Sequence, residues 1–242
     1  MLLLVSGCSG DKWGWYVVDP TTQNGMLNLK FLLGGMWQTI LLSVCAIAIS
    51  IVIGLLVALP GISENRWARL FNRVYVEVVR SVPILVLILW VYYGLPVVFD
   101  ITLGTFAAGV LALALSDSAF EAEIFRGGIQ SVEVGQHEAA KSLGLGYLQT
   151  MWLIVLPQAL RRILPALGNQ LVYMLKMSSL VSVIGLSELT RRANELVVSE
   201  YRPLEIYTIL MLEYLALILL VSWAVRRLEK RMADDGRNNQ NG

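Results

Sequence analysis

The chain is poor in the residues that build metal centres and disulfide frameworks. Its 242 residues include two cysteines, Cys8 and Cys45, and a single histidine, His137. Two cysteines cannot form a disulfide scaffold, and one histidine without clustered cysteines argues against a metal site. We therefore expect no metal in this chain, and we interpret Cys45 as a small buried side chain and His137 as solvent-facing.

The sequence also lacks the motifs of several enzyme classes. No glycine is followed directly by lysine, which excludes the phosphate-binding loop G-x-x-x-x-G-K-[ST]. Neither the serine motif G-x-S-x-G nor the zinc motif H-E-x-x-H occurs. We expect no catalytic residue and no cofactor here, so energy from ATP would have to come from a partner.

Charged residues are sparse, at 15% of the chain, whereas hydrophobic residues make up 56%. The net charge of +1 offers no electrostatic basis for binding nucleic acid. The mean hydropathy is +0.64, and several apolar runs approach the ~20 residues that a helix needs to cross a bilayer. Because helices satisfy their own backbone hydrogen bonds in lipid, the sequence predicts an all-α polytopic membrane protein.

The apolar runs predict five transmembrane helices in one membrane domain, residues 29–231. The predicted spans are residues 31–59, 74–98, 103–123, 165–189 and 204–225. Residues 1–28 are predicted to be an N-terminal extracytoplasmic tail, and residues 232–242 a disordered cytoplasmic tail. Cys8 follows a short apolar run that faintly resembles a lipoprotein processing site, so lipidation and a plain tail are alternatives.

The distribution of lysine and arginine predicts the orientation. Basic residues concentrate in the first loop, between the third and fourth spans, and after the fifth span. Because such residues accumulate in cytoplasmic loops, the N-terminus is predicted to lie outside and the C-terminus in the cytoplasm. Arg191, Arg192 and Arg202 fall in an external loop with nearby glutamates, where we predict a short, charge-balanced helix.

The most informative stretch is residues 136–157, between the third and fourth spans. Glu138-Ala139-Ala140 is favourable helix sequence, and Gly144 and Gly146 are expected to interrupt the helix. A second short helix, at residues 147–156, is expected to end at Pro157. The pattern predicts a helix–kink–helix at the membrane edge that another protein can bind.

This spacing, continued by Ile154 and Leu156, resembles the EAA loop of bacterial ABC importer permeases. The loop would occupy about residues 130–160 on the cytoplasmic side. The resemblance implies that it binds the ATP-hydrolysing subunit and transmits its motion to the membrane helices. The coupling residues implied are Gln136, Glu138, Ala139, Ala140, Gly144, Leu145, Gly146 and Pro157.

Other stretches resemble the polar amino-acid permeases of the histidine/glutamine/glutamate type. They are residues 77–83 with 93–96, 122–131, 176–189 and 228–231. Val82 and Leu87 depart from the usual family residues, so a particular cargo cannot be inferred. Residues assigned to the inner gate or to structural support are Glu77, Arg80, Pro83, Glu123 and Arg126.

The resemblance also implies a location in the bacterial inner membrane, and it implies partners. It implies a second permease subunit, identical or related, and two ATPase subunits that hold ATP and magnesium. An extracytoplasmic amino-acid-binding protein would deliver cargo, and the lipid bilayer surrounds the permease. ATP binding would bring the paired EAA loops together and open the path outward.

Asp117 and Lys176 lie deep in predicted spans, and Glu121 shares a helical face with Asp117, four residues earlier. A charge at such depth costs about 2.5–3.5 kcal/mol on insertion scales, so each must face protein or water. One hypothesis is that an acid binds the ammonium group of an amino acid in transit and Lys176 binds its carboxylate. The alternative is an ion pair between Lys176 and one acid that only links helices.

Ser178 and Ser179 are assigned to the same path, with helix packing as the alternative. Two other functional classes also remain open. A secondary transporter or channel would use the three ionisable residues as an ion relay, and a non-transporting scaffold would use the loop only to recruit a cytosolic protein.

Overall fold

A computed structural model describes residues 14–238, with side chains through Lys230, and every regular element in this part of the chain is helical. The α-helices are α1 (Gln23–Leu33), α2 (Met36–Gly61), α3 (Arg66–Ser81), α4 (Ile84–Leu89), α5 (Leu95–Phe99), α6 (Thr105–Gln130), α7 (Val134–Ser142), α8 (Tyr147–Thr150), α9 (Leu156–Met177), α10 (Leu189–Glu200) and α11 (Pro203–Asn238). Wide π turns join α4 to α5 and α8 to α9. The predicted all-α class is confirmed.

Three segments are long and apolar enough to cross a bilayer: Gln23–Gly61, Thr105–Gln130 and Pro203–Lys230. Two bent helix pairs raise the number to five if each pair counts as one span. The bend is 93° between Arg66–Ser81 and Ile84–Phe99, and 48° at the start of α10. The five predicted spans thus correspond to the upper value, and two of them are bent.

The predicted continuous span at residues 74–98 is wrong, because the helix breaks at Val82. The Val82 backbone is extended, with φ −87° and ψ 122°. The ring of the following Pro83 disfavours the α conformation at this position. α4 begins directly after Pro83, so the polar α3 is set at a steep angle to the apolar α4.

Other boundaries also shift. α6 continues beyond residue 123 to Gln130. The predicted fourth span does not reach residue 189, because α9 passes into a 3₁₀ helix that ends at Gly185, where φ is +90°. The short helix predicted around Arg191 is present as α10.

Both segments predicted as tails contain helical residues where the structure describes them. Residues 15–18 form a 3₁₀ turn, and Val17 and Val18 are buried in a cluster with Ile206 of α11. The Thr22 hydroxyl caps α1 by accepting a hydrogen bond from the Gly25 N–H at 3.1 Å. At the other end, α11 extends to residue 238. Cys8 and residues 239–242 lie outside the described residues.

α6 is the centre of the helix bundle, and α2, α3, α4 and α9 pack around it. Small side chains such as Ala108, Ala112 and Ala122 are fully buried on α6 and allow close approach of its neighbours. α11, in contrast, exposes most of its apolar side chains. This arrangement places the middle of α6 at the junction of α2 and α9.

Candidate coupling loop and membrane path

α7 ends in a backbone motif that favours glycine. The Leu145 N–H donates to the Ala140 carbonyl at 3.1 Å, and the Gly144 N–H donates to the Lys141 carbonyl at 3.0 Å. This pair of hydrogen bonds is a Schellman motif. Gly144 has φ +75°, a left-handed conformation that glycine adopts without steric cost. The helix end expected at Gly144 is present, and its cause is this C-terminal cap.

The expected helix end at Pro157 is wrong. α8 begins after Gly146 and runs through the π turn Met151–Val155 directly into α9. In the π turn the Leu156 N–H donates to the Met151 carbonyl, five residues earlier. Wide turns of this kind let a helix continue past a proline, which has no N–H to donate. The loop is therefore continuous with a helix of the membrane domain.

Side-chain hydrogen bonds hold α7 against the start of α9. The Gln158 carboxamide donates to the Gln136 carboxamide oxygen at 3.2 Å. The Arg162 guanidinium donates to the Ser131 carbonyl and, at 3.1 Å, to the Ser131 hydroxyl. These bonds tie the N-terminal side of α7 to α9, and its C-terminal end connects through Gly144 to α8, so we infer that residues 131–162 move together.

Within the EAA sequence, Ala140 is buried, whereas Glu138 and Ala139 are exposed. Around them lies a set of large apolar side chains with exposed fractions of 67–79%, which we name the coupling face: Val134, Leu143, Tyr147, Leu148, Trp152 and Leu153. Exposed apolar side chains grouped in one short segment mark an interaction surface. The EAA spacing does not identify the residues of the coupling face. The sequence feature that could have identified them is the group of large apolar residues on either side of Gly144 and Gly146.

Asp117 joins three helices. Its carboxylate accepts hydrogen bonds from the Ser50 hydroxyl of α2 at 2.7 Å and from the Gln170 carboxamide of α9 at 2.9 Å. Glu121, one turn later, is fully buried, and neither of its carboxyl oxygens has a partner. Gly54 of α2 lies against the Glu121 side chain. Both acids thus lie inside the helix bundle, in different hydrogen-bonding environments.

Lys176 is exposed near the end of α9, and in the described part of the chain no ion pair joins it to Asp117 or Glu121. The structure therefore does not bring the three predicted path residues together. Ser178 is buried and donates to the Leu175 carbonyl at 2.7 Å, and Ser179 donates to the Lys176 carbonyl at 2.7 Å. Both hydroxyl groups are satisfied within their own helical segment.

Four of the predicted gate residues line a cleft between α3 and α6: Glu77, Arg80, Glu123 and Arg126. Arg126 donates two hydrogen bonds to Glu123, at 3.0 and 2.7 Å. The Arg80 guanidinium lies over the Phe120 ring at 4.8 Å. Glu77 is exposed and lines the same cleft. Pro83 lies at the bend that follows α3.

The residues just described lie within a recognisable family sequence. Residues 50–234 match the family of inner membrane components of binding-protein-dependent transport systems. The chain belongs to this family. It is a transport permease, and the family predicted from the EAA spacing is confirmed.

The permease is similar to transport proteins from Escherichia coli and Bacillus subtilis. It is 38% identical over 222 residues to the "Glutamine transport system permease protein GlnP" of Escherichia coli K12. The aligned region covers 91% of this chain and 98% of that protein. It is 38% identical over 205 residues to the "Probable glutamine ABC transporter permease protein GlnM" of Bacillus subtilis 168, covering 85% and 94%.

Solved structures share the permease fold. A crystal structure of an amino acid ABC transporter with histidines superimposes with a TM-score of 0.80 at 40% identity, covering 85% of this chain and 96% of that chain. The inward-facing methionine ABC transporter MetNI gives a TM-score of 0.72 at 20% identity, covering 88% and 99%. At that identity the second comparison supports the fold alone.

The two buried acids of the permease predict opposite effects of apolar substitution. Asp117→Leu leaves the buried Ser50 hydroxyl and the half-buried Gln170 amide without an acceptor, which costs about 1–3 kcal/mol for the Ser50 hydroxyl and less for the Gln170 amide. Glu121→Met removes two carboxyl oxygens that have no partner, so its cost is expected to be zero or negative. Thermal unfolding of the purified permease in detergent measures both. A lower melting temperature for Glu121→Met than for Asp117→Leu would contradict this assignment.

Proposed function

We propose that the permease forms half of the translocation path of an ATP-driven importer of polar amino acids. The observation that supports this best is the coupling loop, a hydrogen-bonded unit with an exposed apolar face that continues through α9 toward Lys176. The glutamine permeases and the amino acid transporter similar to this chain support amino-acid cargo. ATP hydrolysis belongs to a separate subunit that would bind the coupling face.

The proposed assembly contains two permease subunits, two ATPase subunits that hold ATP and magnesium, and an extracytoplasmic amino-acid-binding protein. The second permease is a copy of this chain or a related chain. We propose that the N-terminus lies outside and the C-terminus in the cytoplasm. The arginines of α3 and the basic residues of the coupling loop support this orientation, because positive charge favours cytoplasmic loops.

We further propose that Lys176 binds the carboxylate of the cargo. It is the exposed cation at the end of α9, one turn after the exposed Tyr173. The Tyr173 ring lies 6.4 Å from the Phe120 ring, which Arg80 also contacts. These side chains form a polar and aromatic surface on which an amino acid could rest. Asp117 acts as a positioning residue, because its hydrogen bond to Gln170 holds α9.

Coupling would follow from helix continuity. When the ATPase subunits close, they would move α7 and α8 together. α8 is joined to α9 without a break in the helix, so the movement would reach Lys176 rather than be absorbed in a flexible loop. Lys176 lies on the same continuous helical segment as four residues of the coupling face, Tyr147, Leu148, Trp152 and Leu153, which would allow ATP binding to change access to the cargo.

Uptake in vesicles tests the proposed function. The permease is reconstituted with its ATPase and binding-protein partners, and uptake of radiolabelled glutamine and other polar amino acids is measured with ATP inside. We expect uptake that requires ATP hydrolysis and persists after an ionophore collapses the membrane potential. A matched control contains an ATPase variant unable to hydrolyse ATP.

Uptake driven by the membrane potential without ATP would instead indicate a secondary transporter. Absence of flux with all subunits assembled would indicate a scaffold.

A further inference from the structure

α3 presents three different faces along its length. Its protein-facing side is fixed by two hydrogen bonds. The Asn72 amide donates to the Val57 carbonyl of α2 at 2.8 Å, and the Tyr75 hydroxyl lies 2.7 Å from the Ser118 hydroxyl of α6. Val76, on the same side of α3, is buried in a cluster with Val57 of α2 and Ala122 of α6. The orientation of α3 about its own axis is therefore set by contacts within the permease.

A second face of α3 is apolar and exposed. It comprises residues at the three- and four-residue spacing of one helix side. Their exposed fractions are 45–65%, and they are Trp67, Leu70, Phe71, Val74 and Val78. A contiguous apolar patch of this kind is unfavourable in water. We therefore expect this face to contact lipid or another protein.

The third face is basic and lies beside the apolar one. Arg66, Arg69 and Arg73 follow the same helical spacing and, with Trp67 and Leu70, line an open cleft that contains no acidic side chain. Arg69 donates to the carbonyls of Ser63 and Glu64. In the described part of the chain none of the three arginines forms an ion pair with a carboxylate.

The position of α3 relates this surface to the coupling loop. The neighbouring cleft is lined by Arg69 and Arg73 together with Arg126 and Gln130 of α6. Gln130 precedes α7 by a few residues, so the basic face lies at the same end of the helix bundle as the coupling loop. The 93° bend after α3 means that this helix does not continue the direction of α4.

We propose that the cleft at Arg66, Arg69 and Arg73 binds the phosphate of an anionic phospholipid from the leaflet nearest the coupling loop. Guanidinium groups bind phosphate oxygens in bidentate geometry. An acyl chain of the same lipid lies along Trp67, Leu70 and the residues one turn further on. A helix with adjoining basic and apolar faces is typical of segments at an anionic membrane surface.

The combination of the two faces favours a lipid over the other possible occupants. A free phosphate would use the arginines and leave the apolar face uncovered. A protein partner would need both acidic and apolar groups at matching positions, whereas a phospholipid combines them in one molecule. The Arg66 guanidinium lies 5.2 Å from the Trp67 ring centre, which places a cation and an interfacial aromatic side by side.

Quenching of Trp67 fluorescence by brominated lipid tests this site in the full-length permease, purified in an uncharged detergent. Brominated phosphatidylglycerol and brominated phosphatidylcholine are titrated separately. The same titrations of Trp67→Phe give the quenching of the other tryptophans. The difference between the two proteins is the quenching of Trp67, which reports lipid bound at this cleft. We expect half-maximal quenching at an about tenfold lower concentration of the anionic lipid.

Two charge variants complete the test. Arg66→Gln/Arg69→Gln/Arg73→Gln is expected to remove the preference for phosphatidylglycerol. Arg226→Gln/Arg227→Gln/Lys230→Gln is the matched control, because it removes the same charge near Trp223 of α11 and is expected to leave the Trp67 signal unchanged. An unchanged melting temperature for each variant shows that the fold is intact.

Several results would overturn the proposal. Equal quenching by the two lipids would show that the arginines do not select an anionic lipid. An unchanged preference for phosphatidylglycerol in the α3 variant would show the same. Displacement of the anionic lipid by inorganic phosphate alone would assign the cleft to free phosphate. Loss of quenching when the ATPase or a second permease subunit is bound would make α3 a protein interface.

Discussion

Replacement of Gly144 by aspartate is expected to lower ATP-driven uptake at least tenfold while the permease still inserts into the membrane. Gly144 is left-handed, with φ +75°, and no atom lies within 4 Å of the position that a Cβ would take. Aspartate tolerates this conformation better than most residues, so α7 should keep its C-terminal cap. The new charge, however, would lie beside Leu143 on the coupling face. Burial of an unpaired charge in an interface costs about 2–5 kcal/mol. A loss of this size weakens the binding of the ATPase subunit more than tenfold.

Gly144→Asn is the matched control, because asparagine has nearly the same shape and the same tolerance of the left-handed conformation without the charge. We expect it to retain most uptake. The measurements are uptake in vesicles and the amount of ATPase that copurifies with the permease. If asparagine reduces both as strongly as aspartate, the effect comes from the backbone. If aspartate reduces neither, residues 130–160 do not couple to an ATPase.

Lys176→Met is expected to reduce uptake by a factor of about ten or more while leaving ATPase association unchanged. Methionine preserves the length and apolar stem of lysine but cannot bind a carboxylate. Lys176 is exposed and has no ion-pair partner among the described residues, so its removal leaves no buried carboxylate unpaired and should not destabilise the fold. Uptake, copurification and melting temperature are measured on the same preparation.

Lys176→Arg is the conservative variant for this position, since it keeps the positive charge near the end of α9. It is expected to retain part of the uptake and to raise the cargo concentration needed for half-maximal rate. Normal uptake by Lys176→Met would exclude Lys176 from cargo binding. A loss of uptake accompanied by loss of assembly would assign Lys176 to the permease interface.

Local sequence chemistry determined several features of this protein. The high apolar content predicts a helical membrane protein, because unpaired backbone groups are too costly in lipid for other structures. Gly144 predicts the end of α7, because glycine adopts the left-handed backbone conformation of the helix cap without steric cost, whatever its tertiary contacts. The EAA spacing predicts the family because the identifying residues lie close together in sequence.

The prolines show where local chemistry is insufficient. The helix breaks before Pro83, where Val82 has an extended backbone, whereas Pro157 lies within a continuous helical segment. The difference is the π turn before Pro157, which rearranges the backbone hydrogen bonds over a wider turn. A proline thus restricts its own neighbours, but the surrounding helix decides whether the chain bends there.

The environments of the ionisable residues were decided by tertiary structure alone. Asp117 depends on Ser50 and Gln170, which are 67 and 53 residues away in sequence. Glu121 shares the helical face of Asp117 but has no hydrogen-bond donor, and Lys176 is exposed and forms no ion pair with either acid among the described residues. Spacing along one helix sets which residues share a face, whereas packing of separate helices decides which partner each charge meets.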